Sequence, residues 1–277
     1  MSFSAVLVGV TLFTLNLAAQ TYTIETIEYP GSSPTIVTGV NSTGEIVGYY
    51  QANTGPVPEN FGFTYLNGTY SQIPAPETET RVGQINESGT IVGSFENGSF
   101  LFNDGHFEYF GFNALFANGI NNLGTVVGIT GYTQQGFLLK QGTLTMFSVP
   151  QYGNTMPYGV NDQDQVVGYA ALPANISSPI VTTGFIYDQG TITTIAYPNF
   201  PYTTLTGIND LGVITGYAVD GETTVGFLYD HGTFKTFAIP GVAVTMPEGI
   251  TNSGVVFGLL SKSILDSGRG FVAKPSN

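Results

Sequence analysis

The chain contains no cysteine and no tryptophan. Without cysteine there are no disulfides and no thiolate metal sites, and the redox compartment is left open. Six basic residues stand against 19 acidic ones, for a formal net charge of −13 over 277 residues. Arg81, Lys140, Lys235, Lys262, Arg269 and Lys274 cannot make a phosphate-binding track, which excludes nucleic acid and disfavours anionic membrane surfaces. The two histidines, His106 and His231, fall in predicted hairpin turns, far in sequence from any paired acid or serine constellation. No Gly-x-Ser-x-Gly elbow, phosphate loop or dinucleotide fingerprint is present. A calcium loop needs several acids and a terminal glutamate. The richest stretch here, Asn161 to Gln165, has two acids. No metal and no cofactor are expected.

What is abundant is glycine (37), tyrosine (16) and phenylalanine (20), with only 9% charged residues. That composition suits many short strands joined by tight turns, whereas disorder needs high charge and few aromatics. The first twenty residues carry no charge, with an apolar run from Ala5 to Leu15 and the small-residue stretch Leu17-Ala18-Ala19. Residues 1–20 read as a secretory signal peptide, and 21–277 as one mature domain without a membrane span.

Self-similarity organises the rest. GVNSTGEIVGYY at Gly39 recurs as QINESGTIVGSF at Gln84, GINNLGTVVGIT at Gly119, GVNDQDQVVGYA at Gly159, GINDLGVITGYA at Gly207 and GITNSGVVFGLL at Gly249. A Gly-Phe motif follows each copy, bringing in Phe63, Phe100, Phe137, Phe185, Phe227 and Phe271. Each unit reads as four short strands: an inner strand, an Asn-x-x-Gly turn, an apolar second strand, the Gly-Phe strand, and a fourth after an Asn-Gly or Asp-Gly-like turn. Those dipeptides favour type I′ hairpins, where both central residues need positive φ. No window shows a sustained helical period. Units of about 40–45 residues with four strands are the mark of propeller blades. The sixth repeat lacks its fourth strand, while Tyr22 to Pro30 matches Thr191 to Pro198. The fold expected is all-β: a six-bladed β-propeller closed by the N-terminal strand completing the last blade.

The pattern G-I-N-D-x-G-x-V-V-G followed by x-G-F-x-Y resembles the bacterial extracellular repeat family called HAF, named for a His-Ala-Phe triplet. The resemblance covers nearly all of the mature chain. It implies export to the cell surface or medium and a propeller-like β fold, and it implies no established activity. In this chain the triplet's His position holds Phe61, Gly98, Gln135, Thr183, Val225 and Arg269, and its Ala is Gly in five of six copies.

The two repeated turn motifs share one face of such a disk, and the variable loops share the other. Sites tend to sit on irregular loops over a rigid scaffold. The variable face supplies Glu59, Arg81, Tyr152, Tyr158, Tyr202, Glu222 and Arg269 as candidate ligand-binding residues, and Glu77, Glu79, Asp220, Glu248, Lys262, Asp266 and Phe200 besides. Few catalytic residue types and regular repeats point to a non-enzymatic binding or surface-interaction module for a glycan or protein. A carbohydrate-active enzyme, hydrolase or lyase, using carboxylates on that face is the alternative, favoured by acids converging beside Arg81 or Arg269. A structural matrix component is the third. The sequence is silent on oligomeric state.

Overall fold

The computed structural model describes residues 13–17, 20–52, 58–75, 79–96, 98–172, 181–262 and 268–276, with backbone alone for 13–17. Its regular structure is all strand. The hairpin of β1 (Phe13–Leu17) and β2 (Gln20–Ile27) comes first. A four-stranded meander follows: β3 (Thr35–Val40), β4 (Ile46–Ala52), β5 (Glu59–Leu66) and β6 (Thr69–Gln72). The next sheet holds β7 (Arg81–Ile85), β8 (Ile91–Phe95), β9 (Gly98–Asn103) and β10 (His106–Tyr109). The one after holds β11 (Ala114–Ile120), β12 (Val126–Thr130), β13 (Gly136–Lys140) and β14 (Thr143–Phe147). Two further meanders touch through one parallel bridge, Thr182 to Tyr202. They are β15 (Asn154–Val160), β16 (Val166–Ala171), β17 (Thr182–Asp188) and β18 (Thr191–Ile195), then β19 (Tyr202–Ile208), β20 (Ile214–Val219), β21 (Thr224–Asp230) and β22 (Thr233–Thr236). The last sheet joins both ends of the chain: β23 (Val244–Ile250), β24 (Val256–Ser261) and β25 (Arg269–Ser276) continue into β2 and β1.

The expected pairing of the N-terminal strand is present. β2 runs antiparallel to β25 with Ile24 opposite Ala273 and Ile27 opposite Gly270. Within the segment read as a signal peptide, Phe13–Leu17 lies against β2; residues 1–12, 18 and 19 fall outside the described residues.

The core lies between consecutive sheets. Val167 of one sheet packs with Leu205, Ile214 and Phe227 of the next. Ile27, Phe257 and Val272 of the last sheet pack with Val37, Ile46 and Phe63 of the first. All six repeated phenylalanines are fully buried, each worth roughly 1.5–3 kcal/mol of transfer free energy. The glycine before five of the six admits the neighbouring sheet: a Cβ on Gly226 would come within 2.6 Å of the Thr245 carbonyl oxygen.

The hairpins ending in Asn67-Gly68, Asp104-Gly105, Gln141-Gly142, Gln189-Gly190 and His231-Gly232 have positive φ at both residues, as type I′ geometry demands.

The repeated asparagine has two uses. The Oδ1 of Asn209 accepts from the Leu211 and Val213 N–H groups and shapes its own turn. Its Nδ2 donates to the Thr251 carbonyl on the next sheet, 3.3 Å away. Asn86, Asn121 and Asn161 bond forward in the same way, to the carbonyls of Asn121, Asn161 and Asn209. The following residue adds a second tie: the N–H groups of Glu87, Asn122, Asp162 and Asp210 donate to the side chains of Asn122, Asp162, Asp210 and Asn252. The motif is thus a turn and a fastening between sheets.

Candidate functional site

Each inner strand slips register by one residue against its second strand. The slip falls between Val37 and Gly39, Ala117 and Gly119, Pro157 and Gly159, Leu205 and Gly207, and Pro247 and Gly249. In β7 it falls between Val82 and Ile85. A bulged residue belongs to no pair, and its side chain is re-aimed. Here those residues are Thr38, Asn118, Tyr158, Thr206 and Glu248, with Gly83 at the corresponding place in β7. All six line one cavity of about 310 Å³. The bulge also explains the repeated glycine of the second strand. A Cβ on Gly48, Gly128, Gly168, Gly216 or Gly258 would overlap the carbonyl oxygen of Ile36, Phe116, Met156, Thr204 or Met246 on the inner strand.

Ile36, Arg81, Phe116 and Met156, two residues earlier, form the upper wall, and the second strands add Tyr49, Ser94 and Tyr169. Below the bulges the inner strands nearly meet. A Cβ on Gly159 would lie 2.8 Å from the Gly207 Cα, and one on Gly207 would lie 2.7 Å from the Gly249 Cα. Beyond this constriction a separate hollow is lined by the turn residues Asn122, Asp162, Asp210 and Asn252, and among the described residues only Gln84 borders both. The cavity is therefore a cup reached from the side where the inner strands begin, which is the side of the long loops.

The neutral bulge residues brace the cup. Thr206 Oγ1 donates to the Pro247 carbonyl at 2.8 Å, and Asn118 Nδ2 to the Pro157 carbonyl at 2.8 Å. Glu248 is different. It lines the cavity, half-buried, and its carboxyl makes no hydrogen bond among the described residues. Burial pushes its pKa up to about 8. Burial, and then the Glu248 charge, pushes Tyr49 up to about 12, with Arg81 opposing. Tyr158 and Tyr217 are raised by burial first and by Glu248 among their neighbours, and Tyr169 by burial. The Arg81 guanidinium lies 5.9 Å above the Phe116 ring centre and makes no ion pair among the described residues. At neutral pH the cup therefore presents a protonated carboxyl, several phenols and one cation. Above about pH 8 the carboxyl becomes a base. No group of three His, Cys, Asp or Glu able to hold a metal occurs among the described residues.

Of the candidates named from sequence, Arg81 and Tyr158 meet in this cavity. Five do not line it. Tyr152 packs half-buried against the cluster around Phe147 and Val149. Tyr202 opens β19 opposite Val219, and Glu59 opens β5 opposite Ala52. Glu222 sits exposed in a turn shaped by Asp220. Arg269 is ion-paired with Glu28 at 3.2 Å beside the β2–β25 seam. Among the additional loop residues, Glu79 accepts a hydrogen bond from Asn60 Nδ2 at 2.7 Å, and Phe200 packs on Tyr197. Glu77 and Asp266 lie outside the described residues. Tyr49, Tyr169 and Tyr217 escape a sequence reading, and Glu248 reads as one loop acid among many. A signal existed: the residue before the repeated inner glycine runs Thr, Gly, Asn, Tyr, Thr, Glu while the turn that follows it repeats.

No protein-family model and no curated protein matches the sequence. Solved structures do match in shape. A gluconolactonase from Xanthomonas campestris superposes with a TM-score of 0.57 at 10% identity, covering 92% of this chain and 90% of that one. A virginiamycin B lyase from Staphylococcus aureus gives 0.53 at 11% identity, covering 91% and 99%. The β-propeller domain of the trilobed protease from Pyrococcus furiosus gives 0.52 at 14% identity, covering 96% and 95%. At these identities the likeness establishes the fold, a β-propeller of four-stranded sheets. The expectation of a non-enzymatic module is corrected by the same findings. Chains of this shape include a gluconolactonase and a lyase, and burial raises the pKa of the one acid facing the cavity among the described residues.

Proposed function

We propose that the chain is an exported carbohydrate-active enzyme on a six-bladed propeller, with Glu248 as its proton-transfer group. The blade count is supported by the six repeats, each of which contributes one bulge residue to the same cavity. Closure by the N-terminal strand is supported by the β2–β25 pairing and by the packing of the last sheet on the first. Export is supported by the resemblance of the repeats to the HAF family and by the absence of charge in the first twenty residues.

One observation carries the catalytic reading: Glu248, aimed into the cup by a bulge and without a hydrogen-bond partner among the described residues, where burial pushes its pKa up to about 8. A carboxyl kept there without a catalytic or binding use costs stability at neutral pH. With a pKa near the working pH it serves proton transfer in either direction. The phenols around it suit the hydroxyls and apolar faces of a sugar.

The test compares the purified chain with Glu248→Gln on a panel of neutral and acidic polysaccharides, following new reducing ends and product masses. Turnover by the parent and its loss in the variant are expected. A parent inert on every member, or a variant as active as the parent, overturns the reading.

A further inference from the structure

We propose that the cup's substrate bears a carboxylate that seats on Arg81, and that the reaction there is β-elimination from a uronic-acid residue. This rests on the acid–base reading of Glu248 and adds to it the substrate class and the bond that breaks.

Arg81 stands apart among the basic residues. Lys140, Lys235, Arg269 and Lys274 are ion-paired with Asp164, Asp230, Glu28 and Glu25. Arg81 has no such partner among the described residues and borders the cavity, its guanidinium backed by the Phe116 ring. A planar guanidinium held by one face keeps its edge N–H groups free to receive a carboxylate as a fork. In a chain of net charge −13 this cation is a local positive focus for an anion entering the cup. The groups facing Glu248 from neighbouring strands are Tyr49, Tyr158, Tyr169, Tyr217 and Arg81, and none of the phenols is charged at neutral pH.

The reaction class follows from counting carboxyls. Glycoside hydrolysis uses two, flanking the scissile bond. Among the described residues the cavity lining holds one, Glu248. Elimination needs one base, one acid and a cation to neutralise the charge that develops on the substrate's carboxylate. Ionised Glu248 takes the proton from the carbon bearing the carboxylate. That C–H electron pair becomes the new C=C bond, and the bond from the β-carbon to the glycosidic oxygen breaks. The leaving oxygen takes the phenolic proton of Tyr158, and the proton held by Glu248 returns to the phenolate. No water, oxidant or further reactant is consumed.

The experiment uses the full chain and charged oligosaccharides (galacturonate, glucuronate-containing and mannuronate oligomers) against neutral maltotetraose and cellotetraose. Calorimetry is expected to show binding of at least one acidic oligomer and of neither neutral one. Arg81→Ala should weaken that binding roughly 10- to 100-fold, the loss of a charge-assisted pair. Arg81→Lys, which keeps the charge without the fork, should fall between; it stands in if the alanine variant does not fold. Product masses should sum to the substrate mass, with absorbance from the new C=C bond. Equal binding of neutral oligomers, unchanged affinity in both Arg81 variants, or products heavier by one water overturn the proposal. Carboxyl-labelled NMR separates the two levels. Glu248 titrating near its ordinary value sinks the acid–base reading itself. Titration near 8 with no uronate binding sinks only this inference.

Discussion

Replacing Glu248 with glutamine isolates the cost of keeping a carboxyl in the cup. The shape is retained and the ionisation removed. In the unfolded chain the group titrates near 4.5, and in the native protein near 8. The native state therefore binds the proton more tightly, so this group's contribution to stability is fully present below about pH 4.5. It is lost progressively as pH rises to about 8, beyond which it changes no further. At 1.36 kcal/mol per unit, a shift of this size removes roughly 5 kcal/mol at most. Glu248→Gln should accordingly match the parent near pH 4 and exceed it by several kcal/mol at pH 9. In a chain of this size that corresponds to roughly 10–20 °C in Tm. Urea unfolding of both proteins at several pH values between 4 and 9, with slopes compared to confirm the same transition, gives the difference directly. Parallel stability curves across that range would refute the claim that burial holds the proton on Glu248.

The remaining expectations concern the scaffold and its chemistry. Phe227→Ala should cost about 3–5 kcal/mol, because the ring is fully buried between sheets; an unchanged denaturation midpoint would remove it from the core. Gly216→Ala should destabilise by about 1–3 kcal/mol, since the new methyl meets the Thr204 carbonyl and the Phe227 ring; wild-type stability would mean the bulge does not press the strands together. Asn209→Ala loses two turn bonds and one bond between sheets, for a cost of about 3 kcal/mol, readable in the same melts. Deleting residues 1–27 removes two buried isoleucines, worth roughly 3–6 kcal/mol together, along with the strand opposite β25. Circular dichroism showing a native melt for the truncated chain would speak against closure by that strand. Turnover per KM of the parent on an acidic oligosaccharide should rise with pH with a midpoint near 8, and any residual turnover in Glu248→Gln should lack that rise.

The fold was legible where its causes are local. Positive φ at Gln189-Gly190, the buried Phe of each Gly-Phe pair and the turn at Asn209 follow from neighbours within a few residues, so the repeat exposes them. The pairing of Tyr22 to Ile27 with the C-terminal strand was legible because a missing strand leaves a countable gap. The site was mostly illegible. A bulge is a property of two strands in register, so the place of Glu248 before the repeated Gly249 marks it off from the exposed Glu222 only once the six repeats are aligned. Tyr152 and Tyr202 stand in variable stretches, yet one packs on a core cluster and the other pairs in a strand. Tyr49, Tyr169 and Tyr217 stand inside the repeated motif, where attention to what recurs hides what differs. The second use of the repeated asparagine, its forward bond to the next sheet, requires knowing that consecutive turns are neighbours in space.

The bulge separates two kinds of inheritance in this chain. A side chain outside the ladder can be exchanged without disturbing a ladder hydrogen bond, and here it borders the cup. Positions 38, 83, 118, 158, 206 and 248 thus behave like the pins of a lock set in an invariant barrel, each adjustable while the barrel stays the same. Gly83 is the exception, since a side chain there would strike the Asn118 carbonyl. A library varying the other five would sample cup chemistries on one scaffold, with stability screening needed chiefly at Asn118 and Thr206, whose side chains tie neighbouring strands together.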